Sequence, residues 1–128
     1  MITEDYCSFE VSKLLKKKGF ETLTDKVYDN QGKLDYQNVV CCQEKRLPYI
    51  SAPTHQMAMK WLREEKGICI VIYPYDSSHK ERYEFEINER LSEDPYMWES
   101  YMEIKNSLFE GYNTCVEAAL KYSLENLI

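Results

Sequence analysis

The chain has 128 residues, the usual size of one domain with a single modest core and too little for two. Its formal net charge is −6, but residues 1–80 carry +1 whereas residues 81–128 carry −7. An acidic C-terminal part of this kind repels phosphate backbones and anionic lipid. It therefore argues against nucleic-acid and membrane partners and favours a basic partner.

Hydropathy and cysteine content predict a cytoplasmic protein without a membrane anchor. The longest apolar run, 68–73, is far shorter than the roughly 18 residues that span a bilayer, and residues 1–6 lack the pattern of a signal peptide. The odd number of cysteines, without repeated spacing, favours reduced thiols over disulfides or a zinc site. No phosphate-binding glycine motif occurs, so no cofactor is expected. The five cysteines are Cys7, Cys41, Cys42, Cys69 and Cys115.

The first periodic segment, SFEVSKLLKKKGF, predicts a helix over 8–18. Ser8 is the expected N-cap, and Gly19 supplies the left-handed residue that follows a helix C-terminus. Phe20 then falls where a Schellman motif places its hydrophobic contact with Leu15. The lysines at 16–18 lie at the negative end of the helix dipole, so they have a structural explanation besides a nucleic-acid one.

Residues 21–50 are rich in turn formers. The stretch VYDNQGKL predicts a short hairpin around Asp29–Gly32, because Asp and Asn tolerate turn geometry and Gly accepts positive φ. Its strands are candidates for a third strand of the main sheet. After Pro48 the chain is expected to run irregularly, or as a short edge strand, into Ser51.

A second helix is predicted by APTHQMAMKWLREEKG, with Gly67 at its end. Ser51 or Ala52 is the expected N-cap, and Pro53 falls in the first turn, where its missing N–H costs nothing. The spacing of its apolar residues predicts one buried stripe. That stripe consists of Met57, Ala58, Trp61 and Leu62.

His55 lies in the first turn of this helix, between Thr54 and Gln56. A catalytic interpretation would make His55 a general base, yet no serine or cysteine nucleophile is tied to it by a motif. These polar side chains are therefore predicted to satisfy free N–H groups at the helix start. His79, in a predicted loop, is expected to face solvent. We assign no catalytic residue.

Two antiparallel strands are predicted next, 68–75 and 82–88, joined by a hairpin loop at 76–80. The second strand, RYEFEIN, alternates cleanly and therefore has one buried face and one exposed face. Glu84 and Glu86 share the exposed face, where paired carboxylates could bind a metal. The alternation of glutamate with aromatic residues also describes a solvated strand face, and we favour that interpretation because no further oxygen ligands are evident.

Two more helices are expected in the C-terminal part. The first, over 95–109, has Asp94 as cap and Pro95 as its first residue. In the second, Thr114 and Glu117 have capping-box spacing, and apolar residues follow at helical intervals. Together the elements predict an α+β fold, a single domain over 1–128 in which a small antiparallel sheet of two to three strands packs against three to four helices. The stripe of the last helix is Val116, Ala119, Leu120, Ser123, Leu124 and Leu127.

The chain resembles a group of small uncharacterised proteins encoded by phages, prophages and mobile elements of gut Bacteroides-type bacteria. The resemblance covers most of the chain and rests on FEVSKLLKKKGF, on APTHQMAMKWLRE with the strand after it, and on AALKYSLENLI. The sequence departs from the group in SEDPYMWESYMEIKNSLFEGYN. The resemblance implies an accessory role in a mobile genome and no established activity, so it carries over no functional residue.

Three functions are compatible with the sequence. We favour a non-enzymatic domain that binds another protein through an acidic, tyrosine-rich surface, since tyrosine supplies 11 residues and is enriched at interfaces. The second is a nucleic-acid module, which requires one continuous basic patch. The third is a small enzyme, which requires a deep pocket that holds His55 or the glutamates. The candidate partner surface is Tyr73, Tyr75, Glu84, Glu86, Tyr96 and Tyr101, and the basic residues are Lys16–Lys18, Lys45, Arg46, Lys60 and Arg63.

Overall fold

A computed structural model of the chain describes residues 1–36, 49–75, 82–90, 98–103 and 109–128. It has an α+β fold, as the sequence predicts, and divides into two compact units, Met1–Ala58 and Met59–Ile128. The described helices are α1 (Phe9–Lys17), α2 (His55–Glu65) and α3 (Tyr112–Asn126). The described strands are β1 (Lys26–Tyr28), β2 (Leu34–Tyr36), β3 (Ile50–Ser51), β4 (Ile68–Tyr75), β5 (Arg82–Arg90), β6 (Trp98–Glu103) and β7 (Phe109–Glu110).

Helix α1 begins and ends as its sequence predicts. The Ser8 hydroxyl accepts a hydrogen bond from the Val11 N–H at 3.2 Å. At the other end Gly19 has a φ of 104°, and the Phe20 N–H donates to the Leu15 carbonyl at 2.9 Å. This is the bond pattern of a Schellman motif. Phe20 and Leu15 are both buried, which confirms the predicted termination of the helix.

The predicted hairpin forms, but in a sheet of its own. Strand β1 pairs antiparallel with β2 and with β3, so the first unit holds a three-stranded sheet in the order β2-β1-β3. The hairpin turn is stabilised by Asp29, whose carboxylate accepts hydrogen bonds from the N–H groups of Gln31 and Lys33. The backbone N–H of Lys33, followed by that of Gln31, lowers the pKa of Asp29. VYDNQGKL therefore does not extend the main sheet.

Helix α2 begins later than expected. Thr54 is its N-cap, because the Thr54 hydroxyl accepts a hydrogen bond from the Met57 N–H at 3.2 Å. Ser51 belongs to β3, and the Ala52 N–H donates to the Lys26 carbonyl at 3.0 Å, so both residues still belong to the pairing with β1 and neither borders the helix. The predicted N-cap was therefore wrong by two or three residues.

The shifted start also changes the buried stripe of α2. Ala58, Met59 and Leu62 are buried, whereas Trp61 is half-buried and Met57 is 37% exposed. The helical repeat from His55 runs through 58, 59 and 62, which explains why Met59 replaces Met57 on the inner side. His55 itself belongs to this stripe and is only 5% exposed.

The main sheet lies in the second unit, and the predicted pairing of its two central strands is confirmed. The predicted loop at 76–80, with His79, lies outside the described residues. Strands β4 and β5 pair antiparallel, with Ile70 opposite Ile87 and Ile72 opposite Phe85. Strand β6 pairs with the other side of β5, and the short strand β7 also pairs with β5. The predicted helix over 95–109 was wrong, since Trp98–Glu103 is a strand and Phe109–Glu110 is another.

Helix α3 packs against β4, β5 and β7 and covers one face of this sheet. It begins at Tyr112, after Gly111 with a φ of 85°, and no side chain caps it. The predicted capping box at Thr114 and Glu117 was therefore wrong. The predicted stripe is confirmed except at Leu127, which is half-buried. The buried residues of α3 are Cys115, Val116, Ala119, Leu120, Ser123 and Leu124.

None of the helices in the described ranges has both the length and the hydropathy that a bilayer crossing requires.

The two thiols of the second unit should differ in reactivity. Cys115 is fully buried, and burial, followed by the negative charge of Glu84, raises the pKa of its thiol to about 11. Because the thiolate is the reactive species, we expect iodoacetamide to alkylate the half-buried Cys69 well before Cys115 in the native protein at mildly alkaline pH. Mass spectrometry of labelled peptides measures this, with urea-unfolded protein as the control. Equal native rates would contradict the placement of Cys115.

Candidate partner-binding face

The strand alternation of β4 and β5 brings four of the six predicted surface residues together. Phe85 and Ile87 face α3 and are buried, so Glu84 and Glu86 lie on the opposite face of the sheet. Their Cα partners on β4 are Tyr73 and Val71. We call the side of the sheet that carries Tyr73, Tyr75, Glu84 and Glu86 the acidic face.

A hydrogen bond across the two strands organises the acidic face. The Tyr73 hydroxyl donates to the Glu86 Oε2 at 2.8 Å. Tyr73 is 42% and Tyr75 is 48% exposed, so both rings present much of their surface to solvent. A carboxylate has about four lone-pair sites, so Glu86 keeps acceptor capacity for a further donor.

The charge of this face is predominantly negative. Arg82 lies opposite Tyr75 in the strand register, and its guanidinium is 3.8 Å from the Glu110 carboxylate. The positive charge of Arg82 is thus offset, while Glu84 and Glu86 contribute two negative charges. The second unit holds eight Lys and Arg against fourteen Asp and Glu, a formal charge of −6, and the first unit holds eight of each. The net charge of the chain therefore belongs to the unit that carries the acidic face.

A small cavity opens on the acidic face. Its volume is about 230 Å³, and it is lined by Tyr73, Glu84, Phe85 and Glu86. Small-molecule sites generally measure about 300–1,000 Å³ and are mostly apolar. This cavity is smaller, and two carboxylates and a phenol line it. Its lining offers two carboxylate acceptors and the aromatic ring of Tyr73.

The other two predicted surface residues are placed differently. Tyr96 lies outside the described residues, and Tyr101 belongs to β6. Trp98, which the sequence placed in the predicted helix over 95–109 and not on the candidate surface, is 36% exposed and lies opposite Arg90 in the register of β5 and β6. The Arg90 guanidinium is 5.1 Å from the centre of the Trp98 ring, within cation–π distance. Interpretation of WESYME as a strand would have identified Trp98 as a candidate surface residue.

His55 lies in a buried structural setting rather than on a surface. The backbone N–H of His55 donates to the Asp5 carbonyl at 2.9 Å, and a ring nitrogen of His55 lies within 4.8 Å of the Cys7 sulfur. Cys7 is fully buried, its thiol donates to the Thr54 carbonyl at 3.9 Å, and its own carbonyl accepts from the Tyr28 hydroxyl at 2.6 Å. A nucleophile and base need access to a substrate. Burial of both side chains denies that access in this conformation.

Two of the basic residues that a nucleic-acid module would use have partners within the protein. The Lys16 ammonium donates to the Tyr49 carbonyl at 3.5 Å, and the Lys60 ammonium is 3.9 Å from the Glu64 carboxylate. Lys45 and Arg46 lie outside the described residues. Lys16 and Lys60 therefore each have a partner within the protein.

Comparison of the chain with protein-family models, curated proteins and solved structures gives no match.

Proposed function

We propose that the protein is a non-enzymatic binding domain and that its acidic face binds a basic segment of another protein. The observation that carries this proposal is the cavity between Tyr73, Glu84 and Glu86, where an exposed aromatic ring and two carboxylates surround space for one side chain.

Lysine and arginine are the side chains that this chemistry recognises. Each carboxylate can accept a charge-assisted hydrogen bond, which is shorter and stronger than a neutral one. The ring of Tyr73 adds a surface for the aliphatic stem or for a cation–π contact. The negative charge of the second unit would also steer a basic partner toward the face before contact.

The resemblance to proteins of mobile genetic elements suggests where the partner comes from. An accessory protein of a mobile genome would act on a host enzyme or regulator, and a basic segment on such a protein is the target that we propose. The burial of His55 and Cys7 favours this reading over an enzymatic one.

Charge reversal on the acidic face tests the proposal. We expect the double change Glu84→Lys and Glu86→Lys to slow association with a lysine-rich peptide by about tenfold or more at low salt, because exposed charges steer encounter over a Debye length of about 10 Å at 0.1 M salt. Surface plasmon resonance at two salt concentrations measures the rates. The difference should shrink as salt rises.

The matched control changes the same number of charges elsewhere in the second unit. Glu65 and Glu125 are exposed and lie on α2 and α3. The double variant Glu65→Lys and Glu125→Lys has the same net charge as the acidic-face variant. If both variants slow association equally, net charge alone governs binding and the proposed site is wrong.

A further inference from the structure

We infer that the basic segment binds as an additional β-strand along the edge of β4 that no other described strand pairs with, so that binding is a strand addition with alternate lysine or arginine side chains over the acidic face. This inference rests on the proposed function and specifies its mode. In the described part of the sheet the order is β4-β5-β6, and β7 also pairs with β5. Strand β4 is therefore bonded on one side and lies at the edge of the described sheet.

One hydrogen bond shows which backbone groups of β4 point to that edge. The Arg90 N–H donates to the Gly67 carbonyl at 2.9 Å. Gly67 and Arg90 are thus a hydrogen-bonded pair, and the next register pair along the ladder is Ile68 and Glu89. In an antiparallel ladder, hydrogen-bonded and non-hydrogen-bonded pairs alternate. Residues 69, 71 and 73 therefore direct their N–H and C=O groups to β5. Ile68, Ile70 and Ile72 direct theirs away from β5.

Pro74 agrees with this assignment independently. Proline has no N–H, and within a strand it is found where its nitrogen faces away from the ladder. Pro74 lies opposite Tyr83 and has the same parity as Ile72. Pro74 therefore removes no hydrogen bond between β4 and β5. Because it has no N–H, it also offers no donor on the opposite edge of β4. Ile68 is only 2% exposed, so the template for an added strand runs over 70–74, with donors at Ile70 and Ile72 and an acceptor alone at Pro74.

The position of the acidic face selects the occupant of this edge. Neighbouring strands are about 4.8 Å apart, so an added strand would run about 10 Å from β5. Side chains of alternate residues on that strand would lie on the same side of the sheet as Glu84 and Glu86. Extended lysine or arginine side chains can cross Val71 and Tyr73 to reach these carboxylates. An extended segment with basic residues at every second position fits both the edge and the face.

A second copy of the chain fits the edge less well. Pairing of β4 with β4 of another copy would place two acidic faces on one continuous sheet. Each second unit carries a formal charge of −6, so like charges would oppose this association. The charge of the sheet therefore favours a basic segment from a different protein.

The test uses the wild-type chain and two synthetic peptides. The first is a short, acetylated and amidated peptide in which lysine alternates with valine, and the second is the same peptide with every backbone amide N-methylated. Both have the same charge and side chains, but only the first has backbone donors. Because two or three net hydrogen bonds are lost, we expect the methylated peptide to bind at least about tenfold more weakly in calorimetry.

Amide hydrogen exchange by NMR locates the contact on the protein. We expect the first peptide to slow exchange at Ile70 and Ile72, with little change at Val71 and Tyr73, whose amides already face β5. Equal affinity of the two peptides, or unchanged exchange at Ile70 and Ile72, would overturn strand addition. If the acidic-face variant still weakens binding in that case, the proposed function stands without this mode.

Two further outcomes are decisive. If the first peptide does not bind at all, or binds the acidic-face variant equally well, both the proposed function and strand addition are wrong. Analytical ultracentrifugation of the chain alone tests the other occupant of the edge. A dimer that protects Ile70 and Ile72 without peptide would show that a second copy occupies the edge of β4.

Discussion

Leu62→Ala should lower the free energy of unfolding by about 2 to 5 kcal/mol. Leu62 is fully buried at the end of the inner stripe of α2, and truncation there removes apolar contacts and leaves a cavity. Alanine is the best helix former, so the helix itself is not weakened by the change. Urea melts followed by circular dichroism give the free energy, and an unchanged m-value would show that the unfolding transition is otherwise the same.

Gln56→Ala is the control for this measurement. Gln56 is exposed in the first turn of the same helix, and its replacement should cost well under 1 kcal/mol. If the two substitutions cost the same, the inner side of α2 is misassigned.

The elements that were correctly predicted from the sequence depend on local chemistry. The end of α1 needs only Gly19 and an apolar residue after it, and the structure forms the expected Schellman bonds there. The faces of β5 follow from alternation within one strand, which is why Phe85 and Ile87 were correctly placed inside. Signals of this kind are complete within a few residues.

The elements that were wrongly predicted depend on distant partners. Residues 98–103 contain apolar residues at both helical and strand spacing, and Asp94 and Pro95 before them favoured a helix. Strand β6 has a register shift where it passes Ile87 and Asn88, with Met102 and Ser100 as their partners. The extra residue between them, Tyr101, breaks the alternation that would have identified a strand. Pairing with the side of β5 opposite to β4 therefore decided that these residues form a strand. A pattern within one segment carries no information about such a distant partner.

The predicted start of α2 was wrong for a related reason. The choice between Ser51 and Thr54 as N-cap depends on whether Ile50–Ser51 pairs with β1, and that pairing joins residues far apart in the chain. Once Thr54 is the cap, His55 falls on the inner side of the helix. His55, which the sequence analysis grouped with the polar residues Thr54 and Gln56, therefore belongs to the buried stripe.

The candidate face was predictable in part. Alternation placed Glu84 and Glu86 on one side of β5, but the hydrogen bond from Tyr73 to Glu86 depends on the register of two strands. The edge position of β4 depends on the order of the whole sheet. Sequence patterns assign residues to faces, whereas register and strand order decide which residues meet.

Phe85→Ala should have the largest effect within the main sheet, a loss of about 3 to 5 kcal/mol in the free energy of unfolding. Phe85 is only 3% exposed, and its ring stacks on Phe109 with centres 5.8 Å apart. It lies on the side of β5 that α3 covers. Truncation therefore removes an aromatic pair as well as buried apolar area. Chemical denaturation with the fluorescence of the two tryptophans measures the loss.

Glu84→Thr is the matched control, one residue away on the same strand. Threonine is a good strand former, so the substitution removes the charge on the acidic face without weakening the strand itself. We expect a change under about 1 kcal/mol in stability together with weaker binding of the lysine peptide. A large stability loss at Glu84 and a small one at Phe85 would mean that the two faces of β5 are reversed, and the proposed binding face would fail with them.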